Sequence, residues 1–304
     1  MKQFIQYKKL VPVLACICLA TTAKSQLNTF GGGYYQNRYL LNPAMSGLQQ
    51  SLVINAAYKK DQLSFNESPT NQYLTADYGL SNKAGVGVYV VANQAGPLKQ
   101  INAMGTYSYH IAFSEKSKLH MGLSLGINNR HLDISKTNGE ADDPSLLNFN
   151  NKATKFEAGF GAAYTHGDLL VQAALPQLAS QFKKEENTWS NRPLAFASVS
   201  YKAKLSDEAD GIYAEPMVAI RAFKNTDNII DAGSNFTFLN DHFNVMAVYH
   251  TNKSITAGVG LQVIDQIMSV NALYHSVTGG LKTFSDGGLE IGLQLNFAGI
   301  SKKQ

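Results

Sequence analysis

Two serines and four histidines carry the side chains that nucleophilic chemistry needs. Ser108 lies near His110, and Ser124 lies near His120. A hydroxyl beside an imidazole, completed by a carboxylate or amide on an adjacent strand, is the arrangement of a serine esterase. The competing reading is that all four, with His250 and His275, are small polar residues on the inward face of strands. Asp142-Asp143-Pro144 offers two carboxylates to a cation such as Ca²⁺, but acidic residues before proline are also ordinary turn chemistry. Gly31-Gly32-Gly33 follows no strand and opens no helix, so it reads as a flexible segment. There is no phosphate-binding loop, no HExxH pair and no Ca²⁺-loop spacing. The sequence therefore predicts no catalytic residue, no cofactor and no metal site.

The elements that must position these residues are strands. In 119–128, Leu119, Met121, Leu123, Leu125 and Ile127 alternate with His120, Gly122, Ser124, Gly126 and Asn128. The same period of two runs through 229–238, 254–263 and 289–297, and no long segment of helical period competes. Fourteen strands are predicted, at 51–59, 70–79, 84–93, 100–113, 118–129, 155–165, 168–175, 193–204, 211–223, 229–239, 243–250, 254–264, 267–277 and 288–298. Most reach the roughly 9–11 residues that a tilted membrane strand requires.

The connections alternate in length. Those after even-numbered strands are short, whereas 60–69, 130–154, 176–192 and 278–287 all follow odd-numbered ones. This asymmetry is that of an all-β, transmembrane antiparallel barrel of outer-membrane type, with long loops outside and both termini periplasmic. A soluble β-sandwich would also alternate. Against it, the non-apolar face is rich in Gly, Ser, Thr and Asn rather than Lys and Glu. Aromatic residues also recur near strand ends, at Tyr58, Tyr78, Tyr109, Phe113, Tyr164, Phe223, Phe238, Tyr249 and Tyr274, as an interfacial girdle requires. Pro216 disagrees with the strand map, since it removes a ladder donor. It predicts a bulge, or a strand beginning nearer Met217.

The first residues set the compartment. Lys2, Lys8 and Lys9 precede the apolar run Leu10–Ala20, and Ala23-Lys24-Ser25 supplies a small-x-small site. That order predicts a signal peptide cleaved after Ser25. A lipoprotein reading through Cys16 is the alternative. Both cysteines, Cys16 and Cys18, fall inside the signal, as do four of the 26 Lys and Arg and none of the 22 Asp and Glu. The remaining chain is formally neutral, so its composition supplies no argument for nucleic-acid binding. The predicted organisation is a signal peptide at 1–25, an N-terminal periplasmic or plug segment at 26–50, a barrel at 51–298 and a short tail at 299–304.

The segment from Tyr34 to Gly47, YYQNRYLLNPAMSG, does not alternate and is too apolar for a loose tail. It could fold into the lumen as a plug or cap the periplasmic side. Gln36 to Gly47 also resembles the N-terminal signature of the PorP/SprF family, Gln-Tyr-x-x-Asn followed by Asn-Pro-Ala-aromatic-x-Gly. Asp61-Gln62-Leu63 with Pro69, Glu215-Pro216, and Leu289–Phe297 are similar to later family blocks. Lys60, Leu63 and Met45 depart from the family's Arg, Trp and aromatic. The resemblance implies an outer-membrane protein of the type IX secretion and gliding machinery. Its partners would be other components of that system and the C-terminal region of a secreted surface protein such as an adhesin, with membrane lipid around it. Asn42, Pro43, Ala44, Gly47 and Tyr39 are the candidate partner-binding or plug residues. A passive porin or small-molecule transporter is the alternative function, although no row of lumenal Arg or Glu suggests a charged constriction.

Overall fold

The computed structural model describes residues 33–64, 67–134, 149–150, 154–182, 193–206, 211–223, 226–264, 267–277 and 286–297. The expected signal peptide, the Asp142-Asp143 pair and the tail at 299–304 lie outside them. Two short helices come first, α1 (Gly33–Gln36) and α2 (Arg38–Leu41), followed by a 3₁₀ turn at Pro43–Met45. Eight strands then run as β1 (Leu52–Lys60), β2 (Thr70–Ser81), β3 (Ala84–Ala95), β4 (Leu98–Ala112), β5 (Ser117–Leu132), β6 (Thr154–His166), β7 (Leu169–Leu175) and β8 (Ala195–Tyr201). A third short helix, α3 (Leu178–Gln181), sits between β7 and β8. The remaining strands are β9 (Ala203–Lys204), β10 (Tyr213–Ala222), β11 (Ile229–Phe238), β12 (Phe243–His250), β13 (Ser254–Ile264), β14 (Met268–Val277) and β15 (Gly288–Asn296).

Every pairing is antiparallel between neighbours, and β15 pairs back onto β1, from Val53↔Asn296 to Lys60↔Leu289. The pairing of β10 with both β8 and β11 completes the ring. Strands β8 and β9 are two pieces of one stave, so the barrel has fourteen. Closure leaves no free edge, and every strand can satisfy its backbone within the ring, as a membrane core demands.

Pro216 sits inside β10, which neither bulges there nor starts at Met217. On one side Pro216 pairs with Ser234 of β11. On the other, Met217↔Ser200 and Ala214↔Ala203 share one register, and the ladder lapses only between them. The missing proline N–H is absorbed by a break in the neighbouring stave, not by a shift in its own.

The outer face is apolar and exposed. Leu74, Val88, Ile101, Leu123, Ile127, Val218 and Ile291 all point away from the ring. Tyr58, Tyr78, Tyr109, Phe113, Tyr164, Tyr249 and Tyr274 are exposed near strand ends. A continuous apolar belt with aromatic rims is a lipid-facing surface; in water it would be an aggregation site. The opposite residues of the same strands line the lumen and are mostly buried, because residues 34–47 fill much of it. Tyr34, Tyr39, Leu40, Leu41, Ala44 and Met45 are each at most 5% exposed.

Candidate functional site

The N-terminal segment is held inside the barrel by two kinds of contact. The first is a close-fitting turn built around Asn42. Its backbone N–H donates to Arg38 O at 3.0 Å, closing α2, while its side-chain Oδ1 accepts from Ala44 N at 2.9 Å, opening the 3₁₀ turn. Asn is a favoured N-cap, and Pro43 at the first turn position gives up an N–H that would be orphaned there anyway. The Asn42 Nδ2 donates outward to Ala162 O at 3.1 Å and Gln172 Oε1 at 3.2 Å, which ties the turn to β6 and β7.

The wall around this turn is made by absent side chains. A Cβ on Gly122 of β5 would lie 2.3 Å from Pro43 C and 2.4 Å from Ala44 N. One on Gly161 of β6 would lie 1.9 Å from Asn42 Oδ1, and one on Gly87 of β3 would lie 2.6 Å from the Tyr39 ring. Gly85 of β3 similarly admits Ser46 O and Gly47 Cα. Gly47 itself has φ +65°, a conformation that favours glycine, and its N–H donates to Asp77 Oδ2 at 2.8 Å. Ala44 is fully buried in this seat.

The second kind of contact is polar and reaches the opposite wall. Tyr39 Oη donates to Thr106 Oγ1 at 2.8 Å. Arg38 Nη2 donates to both carboxylate oxygens of Glu215, at 2.6 and 2.7 Å, and Ser200 Oγ donates to the same carboxylate. Asn37 caps α2 through Leu40 N and donates to Thr75 Oγ1. Tyr34 stacks on Phe196 and donates to Asp231. Asp231 belongs to a buried network near the long-loop mouth. Arg221 donates to both its oxygens at 2.7 and 2.8 Å, and His250 Nδ1 contacts it directly. The chain continues from His250 Nε2 to Thr256 at 2.9 Å, on to His275 Nδ1 at 2.9 Å, and from His275 Nε2 to Glu290 at 3.2 Å. Lys59 pairs with Asp61 at 2.9 Å on the adjoining strand.

All five residues singled out from the sequence are brought together here: Tyr39, Asn42, Pro43, Ala44 and Gly47. The reading of 31–33 as a flexible segment is corrected at Gly33, which begins α1; Gly31 and Gly32 lie outside the described residues. The serine–histidine candidates are placed differently from a hydrolase. Ser108 Oγ lies 3.4 Å from His110 Nε2, but it donates to Ser46 O at 2.7 Å. His110 faces His120 at 3.0 Å, and Ser124 bonds Thr106 at 2.7 Å. No carboxylate bonds either histidine among the described residues. These groups hold the segment and each other, with the Ser108 hydroxyl buried beneath Ser46. Sequence reading missed Arg221, Asp231 and the receiving glycines. Their signal was parity: Asp231 is the one charged residue of β11, and Arg221 shares the inward phase of β10 with Glu215.

Outside the strands, the Leu63 and Ser64 amides donate to the Asp286 carboxylate, clamping the β1–β2 loop to the chain before β15. Slight desolvation works against its charge, but these hydrogen bonds prevail and hold the Asp286 carboxyl below the usual carboxylate range.

A family model described as "Type IX secretion system membrane protein PorP/SprF" matches residues 24–295. The chain belongs to the PorP/SprF family. It is an outer-membrane β-barrel of the type IX secretion system, and the Asn-Pro-Ala block of the family signature is the turn seated on Gly122 and Gly161. Curated proteins yield no match. Among solved structures, a TodX deltaS2S3 mutant monoaromatic hydrocarbon channel is similar at TM-score 0.51 and 10% identity, over 86% of this chain and 94% of that one. A Pseudomonas aeruginosa FadL homologue is similar at TM-score 0.50 and 10% identity, over 91% and 100%. Acinetobacter baumannii Omp33 is similar at TM-score 0.50 and 9% identity, over 83% and 100%. These likenesses concern the fold alone.

Proposed function

We propose that this PorP/SprF barrel is a holding protein: it supports the secretion or surface anchoring of a large secreted partner, such as an adhesin, and catalyses no reaction. The observation that carries this reading is the lumen filled by residues 34–47. A segment seated by shape against four glycines, and by polar contacts to β2, β4, β6, β7, β10 and β11, occupies the space an open conduit would need. The partner would bind through its C-terminal region, alongside other components of the secretion system. Long loops face outward in this reading, and the short-turn mouth, where β15 ends, faces the periplasm. Family membership and the alternation of loop lengths support that orientation.

The test is a pull-down from solubilised outer membranes, with an affinity tag in the long loop between β5 and β6. Recovery of one large secreted surface protein, lost when Asn42-Pro43-Ala44 is disrupted, supports the holding role. Recovery of the barrel alone, with stable single-channel conductance in a planar bilayer, overturns it in favour of a porin.

A further inference from the structure

The lumen is not uniform. The six neighbouring strands β11 to β15 and β1 contain four charged residues, Asp231, Glu290, Lys59 and Lys60, all towards the long-loop mouth. Towards the short-turn mouth the same six strands turn carboxamides inward: Asn235, Asn244, Gln262, Asn271, Gln294 and Asn55, with Asn296 a second on β15. The register makes this a continuous surface. Gln262 pairs with Ser269, Ser269 with Gln294, and Gln294 with Asn55. One row along, Asn244 pairs with Gly260, Gly260 with Asn271, and Asn271 with Gly292. Gly260 makes room for the Asn244 and Asn271 carboxamides, whose Oδ1 atoms lie where its Cβ would be.

Unlike the long-loop half, this arc is spent only in part: Asn244 Nδ2 donates to Asn235 Oδ1 at 3.0 Å and Asn55 Nδ2 to Thr75 Oγ1 at 3.4 Å. In the long-loop half, Asp231, His250, Thr256, His275 and Glu290 are buried and joined to one another. Here Asn244, Gln262, Asn271, Gln294 and Asn55 are all partly exposed. Gln262, Asn271 and Gln294 make no side-chain hydrogen bond to any other described residue. The 3₁₀ turn of the N-terminal segment packs on β4, β5 and β6, across the lumen from the arc. Where α1 and α2 do approach the arc, a cavity of about 30 Å³ separates them from Asn55, Asn271 and Gln294.

We infer that this arc is a binding surface for an extended, uncharged stretch of polypeptide entering from the short-turn mouth. A carboxamide presents a donor and an acceptor side by side, which complements the alternating C=O and N–H of a peptide backbone. The absence of fixed charge on the arc selects against acidic and basic segments. A glycan would want an aromatic platform, and no Phe, Tyr or Trp on these six strands faces the lumen. The inference deepens the holding role proposed above and rests on it for the presence of a polypeptide partner.

The test uses the full-length protein in detergent and a defined probe, a fluorescent 12-residue peptide of Gly, Ser, Thr and Asn, with maltohexaose as the glycan comparison. Saturable peptide binding is expected, weakened at least tenfold in Gln262→Ala/Asn271→Ala/Gln294→Ala and unchanged in the outward-facing control Val259→Ala. Retention of heat-modifiable migration on gels shows that each barrel is folded. Absence of saturable peptide binding, equal binding by the triple variant, or preferential binding of maltohexaose overturns the inference. Peptide binding on the arc with no partner in the pull-down would uphold this site and sink the holding role. A partner recovered equally by the triple variant would do the reverse.

Discussion

Gly122→Ala is expected to unseat the N-terminal segment while leaving the barrel closed. The new Cβ would lie 2.3 Å from Pro43 C and 2.4 Å from Ala44 N. Both are backbone atoms of a hydrogen-bonded turn, so no flexible side chain can yield. Ordinary contact requires the turn to retreat by about 1 Å or more, and close-packed surroundings offer little room. Overpacking of this kind costs about 1–3 kcal/mol. Loosening the Asn42 bonds to Ala162 and Gln172 adds roughly 0.5–1.5 kcal/mol each. A total of about 2–6 kcal/mol shifts the seated-to-unseated ratio by roughly 30- to 20,000-fold. Ser46→Cys provides the reporter. Ser46 is fully buried and its hydroxyl has no hydrogen-bond partner among the described residues, so sulfur should replace oxygen with little disturbance. With the signal cleaved as expected, no other cysteine remains. A water-soluble maleimide should label the introduced thiol slowly in the Ser46→Cys parent and much faster when Gly122→Ala is added, in barrels that still migrate as folded. Equal protection in both backgrounds would refute the argument that the missing Cβ forms the seat.

Three other outcomes follow from the geometry. Asp231→Asn leaves Arg221 buried without its counter-charge and should destabilise the barrel by about 3–5 kcal/mol in urea unfolding from lipid vesicles. The double change Arg221→Met/Asp231→Leu should recover much of that loss, and if it is as unstable as the single variant the electrostatic account is wrong. Pro216→Ala should change stability by no more than about 0.5 kcal/mol, because the facing stave is unpaired there and a restored N–H finds no ladder acceptor. The Asp286 clamp depends on an ionised carboxylate whose folded pKa lies below its unfolded value. Its contribution is therefore present above the unfolded pKa and is lost only as pH falls below about 4. Amide exchange at Leu63 and Ser64, corrected for intrinsic pH dependence, should stay flat from pH 7 to 5; acceleration within that window would contradict the clamp.

The sequence by itself determined the barrel. A period of two, repeated along Leu119–Asn128, Ser254–Val263 and Leu289–Phe297, assigns one face to lipid and one to the lumen whatever the strand order. The alternation of short and long connections leaves antiparallel neighbours as the only economical topology. Asn42-Pro43-Ala44 was also legible as a non-strand feature, because its local signals (cap, proline, small residue) lie within a few residues. Only the tertiary structure decided what that segment rests on. Gly85, Gly87, Gly122 and Gly161 look in sequence like any small inward residue. Their role is set by which turn approaches them across the lumen, from up to 119 positions away for Asn42 and Gly161. The same holds for Arg221, Asp231 and His250, which meet through register, and for Pro216, whose missing donor is absorbed by a lapse in the adjoining stave. Alternation is a property of one strand at a time. Sites inside a closed barrel are made between strands and between wall and filling, at sequence separations that no local pattern encodes.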